Sequence, residues 1–216
     1  MSQKNRYDVS ERVEGQFEPG SNGLVAKNRL GIVSAEEMDR IEAAALVRVT
    51  EEAVHSFDAE HSFTIVDVRA LHRSWLGEIY DWAGEYRQVN VGKGGFLFAA
   101  ADRIPALMDE LEAGPLRRHT PCKSNENLKI ASALAEIHVE LVLIHPFRDG
   151  NGRVARLLSV LMALQAGLPF LDFAVIADTR KAEYFAAVRA GMNRDYAPMS
   201  ALFAAIIQMT IDRVSE

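Results

Sequence analysis

The chain has 216 residues, of which 49% are apolar and 25% are charged, and its formal net charge at pH 7 is −6. This length supports one sizeable core, and the acidic balance argues against a protein that wraps nucleic acid, whose surface is normally basic. Because Cys122 is the only cysteine, an internal disulfide is excluded, and residues 1–16 lack the apolar stretch of a secretory signal. We therefore expect a cytoplasmic protein with no nucleic-acid partner.

The N-terminal part, residues 1–33, is rich in glycine, asparagine, serine and charge, and its segment FEPGSNG is typical of turns. We predict a mostly irregular arm there with one short helix, followed by a single domain over residues 34–216. Ser34 followed by Glu37 predicts a capped helix start, and the helix should run to about residue 55. Thr64 followed by Asp67 repeats that signature before a second helix.

Residues 87–98, RQVNVGKGGFLF, break the helical spacing of apolar residues. Val89, Val91, Phe96 and Phe98 alternate with other residues around a glycine-rich centre, which predicts a β-hairpin. Further helices are predicted at about 100–113, 124–143, 151–166, 178–192 and 197–214. The predicted fold class is all-α, with seven or eight helices and one small hairpin, because no strand–helix alternation indicates a doubly wound sheet.

One stretch, residues 157–176, is apolar over about the length that a bilayer requires. Gln165, Gly167, Pro169 and Asp172 interrupt it, and Gly-x-Pro ends a helix midway. We predict a buried helix, a turn and a second buried segment, and expect no membrane partner.

The most informative segment is HPFRDGNGRVAR, residues 145–156, which joins two apolar helices. Pro146 and the two glycines predict a turn, with the second helix starting near Asn151. The N–H groups of Gly150, Asn151 and Gly152 would then have no partner within the helix, and such a helix start binds anions.

Four side chains around this turn fit chemistry on a nucleotide. Arg153 and Arg156 are three residues apart on the first helical turn, so that both can face one polyphosphate. Asp149 is suited to Mg²⁺, whose charge the phosphates share. His145 titrates near neutral pH and can accept a proton from a hydroxyl. The loop therefore predicts transfer from a nucleotide, although each feature taken singly is also common in purely structural turns.

This segment resembles the Fic family signature H-x-F-x-[DE]-G-N-G-R-x-x-R, which it matches at every specified position. The resemblance covers about residues 30–210 and implies a Fic fold, with residues 34–216 as the catalytic domain. It implies transfer of AMP from ATP to a Ser, Thr or Tyr hydroxyl of a target protein, with His145 as general base and Asp149 as the ligand of Mg²⁺. The residues implied to bind the nucleotide are Gly150, Asn151, Gly152, Arg153, Arg156 and Tyr184. Phe147 and Phe185 are expected to pack in the core.

The resemblance also implies a flap, made of the hairpin residues Val91, Gly92, Lys93 and Gly94. In the family the flap pairs with an extended segment of the target by strand addition. A solubilising role for Lys93 is the alternative. The expected partner is thus a target protein that carries an acceptor hydroxyl, and a homodimer is left open.

The arm contains SERVEG, in which Ser10 and Glu14 resemble the Fic inhibitory motif [ST]-x-x-x-E-[GN]. This places the chain in the branch of the family with an N-terminal inhibitory helix. The resemblance implies an ion pair between Glu14 and Arg156 that occupies the place of the γ-phosphate. A capped surface helix without regulatory function is the alternative.

Two other functions compete with AMP transfer. A phosphotransferase branch of the same fold carries a bulkier residue where Gly152 stands, and donors of UMP or phosphocholine are also compatible with the sequence. The second is a non-catalytic module that binds nucleotide without turnover. The intact His145 and Asp149 argue against it.

Overall fold

A computed structural model describes residues 13–174 and 179–215 of the chain. Within these residues there are seven α-helices of eight residues or more and one two-stranded antiparallel sheet. The helices are α1 (Ala35–Ser56), α2 (Ile65–Leu76), α3 (Ile104–Leu111), α4 (Asn127–Ile144), α5 (Asn151–Gln165), α6 (Lys181–Ala190) and α7 (Ala197–Ser215). The strands are β1 (Gly92–Lys93) and β2 (Phe96–Leu97). The predicted all-α class with a small hairpin is confirmed.

The starts of α1 and α2 follow from their capping residues. The Glu37 N–H donates to the hydroxyl of Ser34 over 3.3 Å, and Thr64 and Asp67 form a complete capping box. Each cap satisfies N–H groups that have no partner within the helix, and a cap typically contributes about 1 kcal/mol. Both helices therefore begin where the sequence pattern placed them.

Helix α4 lies at the centre of the domain, where it packs against α7, α5 and α3. Eleven of its 18 residues are buried, as expected of a helix that has neighbours on nearly every side. Helix α5 is buried to a similar degree, with ten of its 15 residues inside. The loop that joins α4 to α5 is thus held at both ends by rigid, packed helices. No helix in the described residues is both long and apolar enough to cross a membrane.

The hairpin is shorter than the sequence pattern predicted, because β1 and β2 are paired over only two residues each. Gly94 and Gly95 form its tip with positive φ angles of 58° and 78°, a turn geometry that glycine adopts without steric cost. The carbonyl groups of Val89 and Ala99 accept hydrogen bonds from the Arg87 side chain. These bonds join both stems of the hairpin to one side chain.

The described part of the arm, residues 13–33, has little regular structure. A single β-bridge joins Phe17 to Ala26, and the N–H of Arg29 donates to the carbonyl of Ile79 over 2.8 Å. Of the predicted short helix, the described residues contain one 3₁₀ turn, Val13–Gly15.

Candidate active site

A cavity of about 660 Å³ lies beside the loop between α4 and α5. Its walls come from the hairpin, the end of α4, the first turn of α5 and one side of α6, and its volume is in the range of small-molecule sites. The structure brings nearly all of the predicted site residues together in this lining: Val91, Gly92, Lys93, Gly94, His145, Asp149, Gly150, Asn151, Gly152, Arg153, Arg156 and Tyr184. Glu14 is not among the lining residues, and Ser10 lies outside the described part of the chain.

His145 ends α4 in a left-handed conformation with φ 52°. Its Nδ1 lies 3.2 Å from the carbonyl oxygen of Val142, so Nδ1 carries the proton and Nε2 keeps a free lone pair. The ring stacks on Phe98 with the centroids 3.6 Å apart. Burial lowers the pKa of His145 to about 4, helped by Arg87 and Lys93 and partly opposed by the bond to Val142. The imidazole is therefore neutral at pH 7 and can accept a proton at Nε2.

Arg87 holds the hairpin against His145, a contact that the sequence did not reveal. Its side chain is fully buried and donates to the carbonyl of His145 over 2.7 Å and to that of Val89 over 2.6 Å. Another bond, over 2.5 Å, reaches the carbonyl of Ala99. One guanidinium thus joins the end of α4 to both stems of the hairpin. Burial lowers the pKa of Arg87 to about 10, and the nearby charge of Glu14 acts in the opposite direction.

The turn into α5 depends on Gly150, whose φ is 80°. A Cβ atom at this position would lie 2.6 Å from Cζ3 of Trp75, so no larger residue fits. The Gly150 N–H donates to Oδ1 of Asp149 over 2.6 Å, which corrects the expectation that this N–H is free for an anion. The N–H groups of Asn151 and Gly152 have no acceptor within the described residues, and these two remain available to a phosphate.

The loop backbone is fixed from two further sides. The buried side chain of Asn151 accepts from the N–H of Phe147 and donates to its carbonyl, over 2.8 and 2.9 Å. His72 of α2 stacks on Phe147 and lies 3.0 Å from the carbonyl of Asp149 through Nε2. Because His72 Nδ1 accepts from the Gly84 N–H, the proton is on Nε2, which donates to Asp149. Burial lowers the pKa of His72 to about 4, so this neutral tautomer persists at pH 7.

The carboxylate of Asp149 is 70% exposed and lies 3.7 Å from Nη2 of Arg153. Within the described residues there is no cluster of three side chains that could hold a metal ion by themselves. A Mg²⁺ ion does not need one, since it is commonly bound by one or two carboxylates together with substrate phosphates and water. Asp149 beside a nucleotide fits that pattern.

The two arginines of α5 have different partners. Arg153 donates to the buried carboxylate of Glu42 over 2.6 Å. Arg156 forms no ion pair with any acidic residue in the described ranges, and burial lowers its pKa. A Cβ atom at Gly152 would lie 3.6 Å from Nη1 of Arg156, an ordinary contact distance. The space beside Arg156 is therefore open to a ligand.

Tyr184 and Phe185 of α6 line the far side of the cavity. The hydroxyl of Tyr184 lies 2.9 Å from Nε2 of the buried His138, so its ring rather than its hydroxyl is left for a ligand. Phe185 is 36% exposed, which corrects the expectation that it packs in the core. The buried positions of α6 are Ala187 and Val188, and Phe185 lies at the cavity.

Glu14 lies close to the site but not where the sequence motif placed it. Its carboxylate accepts from the Gln88 N–H over 2.8 Å, and its carbonyl accepts from Nε of Arg148 over 2.7 Å. In the described structure the predicted ion pair with Arg156 is not formed, and the Glu14 carboxylate bonds to the Gln88 N–H. Glu14 instead links the arm to the start of the hairpin and to the loop.

Three comparisons with known proteins bear on this site. A "Probable protein adenylyltransferase y4lH" of Sinorhizobium fredii is 28% identical over 85% of this chain and 90% of its own length. A "Protein adenylyltransferase Fic" of Drosophila persimilis is 30% identical over 69% of this chain, which spans only 28% of that relative. A crystal structure of BepC from Bartonella tribocorum with bound AMPPNP has a TM-score of 0.67 at 22% identity, over 84% of this chain and 91% of that one. The last similarity shows the shared fold.

Residues 62–163 match the Fic/DOC family. The matched region begins before His72 and ends after Arg156, so it contains the loop, the helices that flank it and the supports of its backbone. The chain therefore carries a Fic domain in the region that forms the geometry described above.

Proposed function

We propose that the protein transfers AMP from ATP to a Ser, Thr or Tyr hydroxyl of a target protein. The observation that carries this proposal is that one cavity is lined by a neutral histidine, an exposed carboxylate and an arginine with no acidic partner in the described ranges. These are His145, Asp149 and Arg156. The names of the two relatives and the nucleotide analogue in the Bartonella structure support the same donor.

The phosphates of ATP would lie at the first turn of α5. The N–H groups of Asn151 and Gly152 point from a helix start, where the backbone dipole favours negative charge. Arg156 adds a positive charge from a partly desolvated position, and Arg153 adds a second guanidinium. Asp149 would hold Mg²⁺ against the phosphates, and the ion supplies neutralisation of their charge.

The transfer step uses the free lone pair of His145. The oxygen of the acceptor hydroxyl forms a bond to the α-phosphorus, the bond from that phosphorus to the bridging oxygen breaks, and pyrophosphate leaves. The hydroxyl proton passes to Nε2 of His145, which is unprotonated because Nδ1 donates to Val142. The low pKa of His145 keeps the ring neutral at pH 7, as a proton acceptor must be.

The hairpin is the proposed docking element for the target protein. Gly92 and Lys93 of β1 are exposed, and an exposed strand can add an extended segment through main-chain hydrogen bonds. Arg87 fixes both hairpin stems to the carbonyl of His145, so a segment bound there would have a set position relative to the base. Cys122 is a buried free thiol, which supports a reducing, cytoplasmic compartment as part of the proposal.

Inhibition through an ion pair between Glu14 and Arg156 is not part of the proposal, because Glu14 bonds to the N–H of Gln88 instead. Its contacts support a role in joining the arm to the site. Regulation by the arm stays a separate hypothesis. A higher transfer rate in Glu14→Gly would support it, and a lower rate would contradict it.

ATP labelled at the α- or the γ-phosphate tests the reaction. We expect protein labelling from α-labelled ATP alone, with Mg²⁺ present and with His145→Ala as the unreactive control. Labelling from γ-labelled ATP alone would identify a phosphotransferase. Nucleotide binding without labelling from either donor would identify a non-catalytic module. The open space at Gly152 favours the first outcome, since it leaves room for phosphates beside Arg156.

A further inference from the structure

Glu42 of α1 is a buried carboxylate that contacts the nucleotide site from outside the signature segment. Its side chain is only 8% exposed, and Oε2 accepts from Nη1 of Arg153 over 2.6 Å. The two residues are 111 positions apart in the chain. A carboxylate this deeply buried requires partners for both of its oxygens, because burial of an unpaired charge is costly.

Tyr80 supplies the second partner of Glu42. Its hydroxyl donates to Oε1 over 2.8 Å, and burial, followed by this bond to Glu42, raises the pKa of Tyr80. The ring of Tyr80 stacks on Trp82 at 4.4 Å between centroids. The carboxylate therefore has one fixed orientation, with Oε2 directed at the guanidinium of Arg153.

Trp75 of α2 completes the enclosure of Arg153. Its indole N–H donates to the main-chain carbonyl of Glu42 over 2.8 Å, and its ring lies 4.6 Å from the guanidinium carbon of Arg153. The same ring is in close contact with Gly150, where a Cβ atom would clash with it. Helices α1 and α2 thus hold the arginine from two directions while also touching the turn before it.

We propose that Glu42 is a positioning residue for the transfer reaction and acts through Arg153. With Nη1 held by Glu42, Nη2 of Arg153 is directed toward Asp149 at 3.7 Å. The arginine and the proposed metal ligand then keep a fixed spacing around the phosphates. The inference rests on the proposed function, because it assigns Arg153 a place beside bound ATP.

Glu42 has two effects that act in opposite directions on the nucleotide. It orders Arg153, which favours the geometry of transfer, but its negative charge opposes the binding of an anionic ligand. Replacing it by glutamine keeps the size and the acceptor for Tyr80 and removes the charge. We therefore expect the turnover rate to fall by about tenfold, since small displacements at a reacting centre are costly. The affinity for ATP should stay equal or increase, because the site gains a positive charge.

The test is a double-mutant cycle of Glu42→Gln and Arg153→Gln, read by kcat with α-labelled ATP and by the Kd of a non-hydrolysable ATP analogue with Mg²⁺. In the Arg153→Gln background, the effect of Glu42→Gln on kcat should shrink to less than about twofold, because the residue acts through Arg153. Glu51→Gln, an exposed change on the same helix, is the matched control and should leave both values unchanged.

Three results would overturn the inference: an unchanged kcat in Glu42→Gln, an equal loss of kcat in both backgrounds, or a weakened affinity that accounts for the whole effect. Wild-type protein that binds the analogue but transfers no label would contradict the proposed function instead. If Glu42→Gln does not fold, Tyr80→Phe removes one bond to the same carboxylate and keeps the ring. It should lower kcat by about threefold with no loss of affinity.

Discussion

The first turn of α5 carries two arginines whose surroundings differ. Arg153 faces α1 and α2, where Glu42 compensates its charge and Trp75 lies against its guanidinium. Arg156 faces α4 and α6, where its charge acts on His138 and Tyr184. Both arginines belong to one signature, yet among the described residues only Arg153 has a carboxylate partner.

The difference shows that the fold decides which of two arginines near the site has its charge compensated. A paired and stacked arginine has a fixed geometry and little net charge, so it suits the orientation of a ligand. Arg156 has no acidic partner within residues 13–174 and 179–215, and a partly buried charge without a counter-ion is costly. We therefore expect a bound anion to stabilise it. Under the proposed function, we therefore expect different residues of the same turn to orient the phosphates and to compensate their charge.

The largest expected effect comes from His145, because its substitution changes the transfer step but leaves both arginines in place. We expect His145→Ala to lower the transfer rate by about two to four orders of magnitude, because it removes the general base. Binding of an ATP analogue should persist, since the arginines and the start of α5 remain. Intact-protein mass spectrometry measures the rate, and His55→Ala, an exposed change on α1, is the control. A His145→Ala protein with more than about a tenth of the wild-type rate would assign the base to another group.

Substitution of each arginine tests the comparison directly. We expect Arg156→Gln to weaken binding of a Mg²⁺–ATP analogue by about 1.5–3 kcal/mol, the usual cost of a lost charged contact. Arg153→Gln should cost about 1 kcal/mol, because Glu42 already compensates most of its charge. Calorimetric titration of both variants shows which one loses more affinity. A larger loss in Arg153→Gln would mean that Arg156 is not the main anion contact.

Acid should destabilise the folded protein through His138, which lies beside Arg156. Burial, followed by the nearby charge of Arg156, lowers the pKa of His138 to about 3, while a bond to the Ala155 backbone opposes this. The unfolded chain, with a histidine pKa of about 6.5, therefore takes up this proton first. Stability from this group is complete above pH 6.5 and is lost as pH falls toward 3, by up to about 1.4 kcal/mol per pH unit.

Denaturant titrations between pH 7 and pH 5 measure this dependence. His138→Gln keeps an acceptor for Tyr184, so the slope of stability against pH should decrease by the contribution of one proton. An identical slope in the variant would mean that His138 takes up its proton over the same pH range in the folded and the unfolded chain.

The smallest expected effect concerns the arm. Glu14→Gly removes the bond to the Gln88 N–H, so we expect a transfer rate a few fold lower as the start of the hairpin loosens. Inhibition by Glu14 predicts the opposite sign. Rates at saturating ATP and Mg²⁺ for wild type, Glu14→Gly and Glu14→Gln decide between them. A glutamine keeps the acceptor oxygen and should retain most of the activity.

The sequence by itself determined the helices, the loop and the loop residues that line the cavity. Helix starts follow from local capping at Ser34 and Thr64, and apolar spacing predicts helices. The site residues from His145 to Arg156 are close in the chain, so a turn between two helices is sufficient to bring them together. The tight turn at Gly150 was likewise predictable, because glycine so often marks such positions.

Only the tertiary structure decided what surrounds that loop. Glu42, His72 and Arg87 reach it from 111, 77 and 58 positions away along the chain. Apolar periodicity predicts that a helix buries one face, but it does not fix how the helix is rotated and shifted against its neighbours. That packing paired Arg153 with a carboxylate and placed Glu14 against Gln88, while Arg156 has no such partner in the part of the chain that the structure describes. Each of these contacts depends on where separate elements meet.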